Sequence, residues 1–178
     1  TAKANTKPEI KPEAETKTEN KSVAVVKKAT VKTPESILLN AGNIELNENF
    51  IKNKGNLPWP VDKGVPILHF GRNVLPNKTQ LDITCVTIAT DIGSNVKSVF
   101  DGVVSNIVFI EDMQVVIIQH GKYFTTYSNL SSVQVQRGQN VKTGQVIGKA
   151  GANLDGIGSI DFFINDEKND IDPEKWLK

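Results

Sequence analysis

The sequence predicts a mainly-β chain: an antiparallel sandwich or barrel preceded by a short helical segment. Three observations carry this expectation. From Leu57 onward, short runs rich in Val, Ile, Thr and aromatic residues follow one another without helical periodicity between them. Glycines punctuate the runs at turn positions, at Gly93, Gly102, Gly121, Gly138 and Gly144. The clearest run, "GSIDFFIND" over 158–166, alternates strictly, with Ile160, Phe162 and Ile164 set against Ser159, Asp161, Phe163 and Asn165. Alternation of this kind means one face in a core and the other turned away from it, so Ser159 and Asp161 are expected opposite the core.

Taken in order, residues 1–36 hold eight lysines, five glutamates and three prolines, no aromatic residue, and one short apolar cluster at Val23, Val25 and Val26. Such a composition buries too little apolar surface to offset its ordering entropy, so 1–32 read as a disordered Lys/Glu/Pro-rich linker. Residues 33–55 carry the helical signals. Thr33 can cap and Pro34 suits a first turn, with Ile37, Ala41 and Ile44 on one face. Gly42 is expected to interrupt this helix, and "LNENFIKNKG" to form a second short one ending at Gly55. Residues 56–178 form the β domain, with strands expected at "VPILHF", "VTIAT", "NVKSVF", "GVVSNIVFI", "QVVIIQH", "YFTTYSNL", "QVIGKAG" and "SIDFFIN". About 120 residues suffice for one such core.

Charge excludes some partners. Eight basic against five acidic residues give +3 for residues 1–36, and thirteen against fifteen give −2 for the remainder. Acids are interspersed with bases in the first segment, so nucleic acid is not an expected partner. No apolar run approaches the roughly 20 residues of a membrane helix, and no signal peptide is visible. Because the chain begins at Thr1 rather than Met, an upstream portion is expected to have been removed; membrane association would come only through it. The single cysteine, Cys85, excludes an internal disulfide and reads as a buried, inert thiol.

"GQNVKTGQVIG" over 138–148 makes physical sense as paired tight turns at Gly138 and Gly144, with Val141, Val146 and Ile147 on the core. A similar hairpin occurs in lipoyl and biotinyl carrier domains, but the sole methionine, Met113, has no lysine beside it, which weakens that reading. A wider set of motifs points elsewhere. "KNKGNLPWPV" (52–61), "IATDIGSNVKSVFDGVV" (88–104), "VVIIQHGKYFTTYSNL" (115–130), "GQNVKTGQVIGKAG" and "IDPEKWL" (171–177) stand in an order that resembles the LytM or lysostaphin-type zinc peptidase domain. The subgroup it most resembles is the murein hydrolase activators typified by EnvC. The resemblance implies a barrel-sandwich hybrid, the duplicated hybrid motif, and a place in the periplasm or cell envelope.

Carried over residue by residue, the resemblance puts the family's first two zinc ligands at Ile83 and Thr87 and the third at Asp161. Its two catalytic histidines fall on Ser159 and Asn129. A working site needs three protein donors and an open position for an activated water. Isoleucine has no donor atom, threonine is a poor zinc ligand, and one aspartate cannot hold zinc against water. Neither Ser159 nor Asn129 can serve as acid or base near neutral pH. The expectation is therefore a degenerate domain without metal, cofactor or catalytic residues, whose old groove, marked by Ile83, Thr87, Asn129, Ser159 and Asp161, binds a partner. The partner implied is a cell-wall amidase, with peptidoglycan as the alternative and an active metallopeptidase as a further one. His69 and His120 have no ligand-type partners at ligand spacing, and no nucleophile elbow or phosphate loop is present.

Overall fold

The computed structural model describes residues 39–178. The proposed linker, Thr33, Pro34 and Ile37 lie outside the described residues. The helix α1 (Ala41–Lys52) is capped by Asn40, whose side-chain oxygen accepts from the Asn43 amide at 2.9 Å. Gly42 does not interrupt it, contrary to the sequence expectation: the helix runs through Gly42 and takes in the second expected piece as far as Lys52. Glycine in a helix costs only about 1 kcal/mol against alanine, which a tertiary anchor can outweigh. That anchor is Phe50, fully buried, with its ring 4.8 Å from His120 and 4.9 Å from Trp176. Tyr123 and Phe100 complete the cluster at 5.2 and 5.5 Å.

Twelve strands follow, numbered in chain order. Eight fall on the expected runs: β1 (Val65–Leu68), β4 (Val86–Ala89), β5 (Asn95–Lys97), β6 (Gly102–Ile110), β7 (Met113–His120), β8 (Tyr123–Val133), β10 (Val146–Ala152) and β11 (Gly158–Asn165). Four more, β2 (Gly71–Val74), β3 (Gln80–Ile83), β9 (Asn140–Val141) and β12 (Asp170–Ile171), are two to four residues long. Ten strands join one antiparallel sheet in the order β1-β4-β11-β10-β8-β7-β6-β9, with β5 on β10 and β12 on β11. β11 also pairs with β8, and β2 with β3 forms a separate two-stranded sheet. The fold is the mainly-β, antiparallel architecture that the sequence predicts.

β11 shows why. Ile160, Phe162 and Ile164 are fully buried and pack with Val86, Ile88 and Tyr127 in the core. The last residues close the domain back on its start. Gly55 and Leu57 donate to the Trp176 carbonyl at 2.9 and 3.1 Å, and Lys178 donates to Leu57 at 2.9 Å. Among the described residues no helix is long and apolar enough to cross a membrane.

Candidate functional site

Register assembles the site from strands far apart in sequence. β11 pairs with β4 so that Asp161 lies opposite Thr87 and Ser159 opposite Ala89. On its other side β11 pairs with β8, setting Asp161 opposite Ser128. Directly opposed residues share a face, so Thr87, Asp161 and Ser128 form one row across three strands. The Thr87 hydroxyl donates to Asp161 Oδ1 at 2.7 Å. Asn129 sits at φ 62°, in the left-handed region that asparagine tolerates better than most residues. That turn lets its Nδ2 donate to the Ser159 carbonyl at 2.9 Å and approach the Ser159 hydroxyl at 3.3 Å. Gly151 makes room for the loop: a Cβ there would stand 2.7 Å from the Asn129 carbonyl.

The structure thus brings four of the five expected residues together. Ile83 is at the end of β3, paired with Gly71 in the small sheet rather than with the site strands. Ser159 is on the expected face but does not line an open floor. It is only 2% exposed, because Asn129 closes over it. Asp161 is half-buried. Burial pushes its carboxyl above the ordinary carboxylate range, and the Thr87 hydrogen bond offsets part of that. Cys85, read from sequence only as a core thiol, belongs electrostatically to this site. Burial and then the Asp161 charge push it up to about 11, against the opposing hydrogen bond with Thr87, so it stays a protonated thiol at neutral pH.

One residue of the row escaped the sequence reading. Ser128 lies opposite Asp161, and its hydroxyl is 3.4 Å from the Met113 sulfur. The available signal was adjacency to Asn129 in "YSNL", but which face Ser128 takes depends on a turn that the sequence does not announce. The two histidines lie elsewhere. His120 ends β7 in full burial, its Nδ1 2.6 Å from the Asp101 carbonyl and its Nε2 2.8 Å from the Thr125 hydroxyl. Burial drives its pKa down to about 4 against the Asp101 contacts. His69 is exposed and meets the Glu174 carboxylate at 2.9 Å.

Residues 82–173, more than half of the chain, match the Peptidase family M23. The chain belongs to peptidase family M23. The matched span runs from the end of β3 through β12, so it includes every residue of the site and leaves α1 outside. An uncharacterized Neisseria meningitidis protein, NMB1333, is 29% identical over 133 residues, covering 74% of this chain and 22% of the relative. A zinc-containing peptidase from Vibrio cholerae is 28% identical, with a TM-score of 0.60, covering 68% of this chain and 40% of that one. A structure of the SpoIIQ–SpoIIIAH pore-forming complex shares the fold at 24% identity and a TM-score of 0.60, over 70% of this chain and 92% of that one. The chain therefore spans about a fifth of the curated relative's length.

The Vibrio cholerae relative contains zinc, and the residues of the present site do not fit that metal. The carboxylate of Asp161 already accepts from Thr87, Ser159 lies beneath Asn129, and Cys85 holds its proton. Among the described residues no three His, Cys, Asp or Glu side chains converge as a ligand set.

Proposed function

We propose that this chain is a non-catalytic M23 domain of the bacterial cell envelope, related to the EnvC-like activators, which binds and switches on cell-wall amidases. The observation that carries the reading is the Thr87–Asp161 hydrogen bond of 2.7 Å, made where the family resemblance places two metal ligands. One carboxylate engaged by a hydroxyl gives a metal too few donors, while the strands that carry the row remain paired in one sheet. Partner binding needs only that row. An activator works by binding the open state of its amidase better than the closed one, which is all the thermodynamics requires. The SpoIIQ–SpoIIIAH complex is an assembly on this fold, which supports protein binding as a use for it.

The test is release of dye from labelled sacculi by purified envelope amidases, with and without the chain. Activation without intrinsic release, lost in Asp161→Arg while the fold is retained, is the expected result. Release by the chain alone, or about one zinc per chain in protein purified without chelator, would return the peptidase reading. Binding to sacculi without any effect on an amidase would make it a peptidoglycan-binding module.

A further inference from the structure

The row that contains Asp161 extends beyond the three site strands. Leu68 on β1 lies opposite Thr87, so it continues the row on one side. By register Val115 of β7 falls opposite Ser128, between Val116 and Gln114, and Met113 further along β7 reaches back to touch the Ser128 hydroxyl; Met113 with Ile110, opposite it on β6, flanks the row on the other side. The result is a polar centre of Thr87, Asp161 and Ser128 between apolar shoulders. Leu68 and Met113 are half-buried, and Ile110 is 50% exposed with no strand beyond it at that point.

The centre carries an uncompensated charge. Asp161 accepts one hydrogen bond, from Thr87, and among the described residues no Lys, Arg or His forms an ion pair with it. A half-buried carboxylate flanked by a hydroxyl and a protonated thiol is poorly solvated, and a cation brought against it gains more than at an open surface. A divalent metal would need several oxygen donors and finds one carboxylate. A glycan would leave the shoulders in water. A polypeptide can supply both a cation and apolar side chains.

We propose that this row is a docking groove for an extended segment of a protein partner, with one arginine or lysine set between two apolar residues. The cation pairs with Asp161, and the apolar residues rest on Leu68 and on Met113 with Ile110. Strands in a sheet lie about 4.8 Å apart, so Leu68 and Met113 each stand two strands, or about 10 Å across the sheet, from Asp161, and Ile110 one strand further. A polyproline-type segment advances about 3.1 Å per residue with three residues per turn, which brings positions three before and three after the cation onto the same face at that spacing. The inference rests on the reading that this site binds a protein partner, and it specifies the chemistry of that partner.

The probe is the peptide Ac-Leu-Pro-Pro-Arg-Pro-Pro-Leu-NH2, titrated into the whole chain and followed by amide chemical shifts. Changes confined to Leu68, Thr87, Met113, Ser128 and Asp161 are expected, with affinity falling at least tenfold when glutamine replaces the peptide's arginine or serine its leucines. Asp161→Asn, nearly isosteric, should cause a similar tenfold loss, and the glutamine peptide makes the same comparison without altering the protein. Equal binding of the arginine and glutamine peptides, shifts on another surface, or no binding at all would overturn the proposal. Amidase activation without arginine-dependent binding would sink this inference and leave the proposed function standing. Arginine-dependent binding without activation would keep the groove and remove the amidase.

Discussion

His120 and Asp161 are both withdrawn from water, and burial pushes each toward its neutral form. Their surroundings differ. His120 has a partner on each ring nitrogen, the Asp101 carbonyl and the Thr125 hydroxyl, and its face stacks on Phe50 at 4.8 Å with the rings 7° from parallel. The Thr125 hydroxyl lies 3.3 Å from that of Tyr127, which accepts from the Val99 amide at 2.9 Å. Every group in that chain is satisfied from within. Asp161 has one hydroxyl partner and apolar shoulders on either side. A buried group whose needs are met by its own fold contributes stability and specificity, whereas one left short is open to a partner. The histidine is architecture, and the aspartate is where we place binding.

The most forceful way to break the first region is Phe50→Ala. Phe50 is the fully buried side chain of α1 and touches His120, Trp176, Tyr123 and Phe100, so its loss should cost about 3–5 kcal/mol in urea unfolding. A cost under about 1 kcal/mol would mean that the helix is a detachable addition to the β domain.

Acid should break the same region next. The folded His120 pKa of about 4 lies below its ordinary 6.5, so the unfolded state takes the proton first. Stability is complete above pH 6.5 and is lost as pH falls toward 4, by about 3 kcal/mol in all. Unfolding midpoints measured across that window check it, and His120→Asn should flatten the slope. An unchanged slope would assign the acid sensitivity to other groups.

Tyr127→Phe removes the acceptor of the buried Val99 amide and should cost about 1–3 kcal/mol. The second region should respond with the opposite sign and least of all. Because the folded Asp161 pKa is raised, its charge opposes folding above that pKa, and stability rises as pH falls through the window. Asp161→Asn should therefore be neutral or stabilising by under about 1 kcal/mol near pH 7, with the difference vanishing in acid where the wild-type carboxyl is protonated. A clear destabilisation would make Asp161 as architectural as His120 and end the contrast.

Much of this fold is legible in residue order. Ile160, Phe162 and Ile164 announce β11, and the Val/Ile runs of β4, β6 and β7 announce theirs, because burial of one strand face imposes a period of two on the chain itself. The same local logic missed β2, β3, β9 and β12, which are two to four residues long, too short for a period of two to stand out. It also misjudged α1, since Gly42 looks like a break until Phe50 is seen anchored against residues 70 and 126 positions away.

Of the candidate site, residue types and the absence of histidines at the expected positions were there to be read, and they exclude acid–base work at Ser159 and Asn129 by chemistry alone. What the sequence by itself determined is the alternation, the turns and the donor atoms available, all properties of neighbours along the chain. That Thr87 meets Asp161, that Asn129 turns left-handed to close over Ser159, and that His120 is enclosed rather than exposed were decided by the tertiary structure. Each depends on strand register and on contacts between distant segments, whose free energies exist only once the sheet has formed.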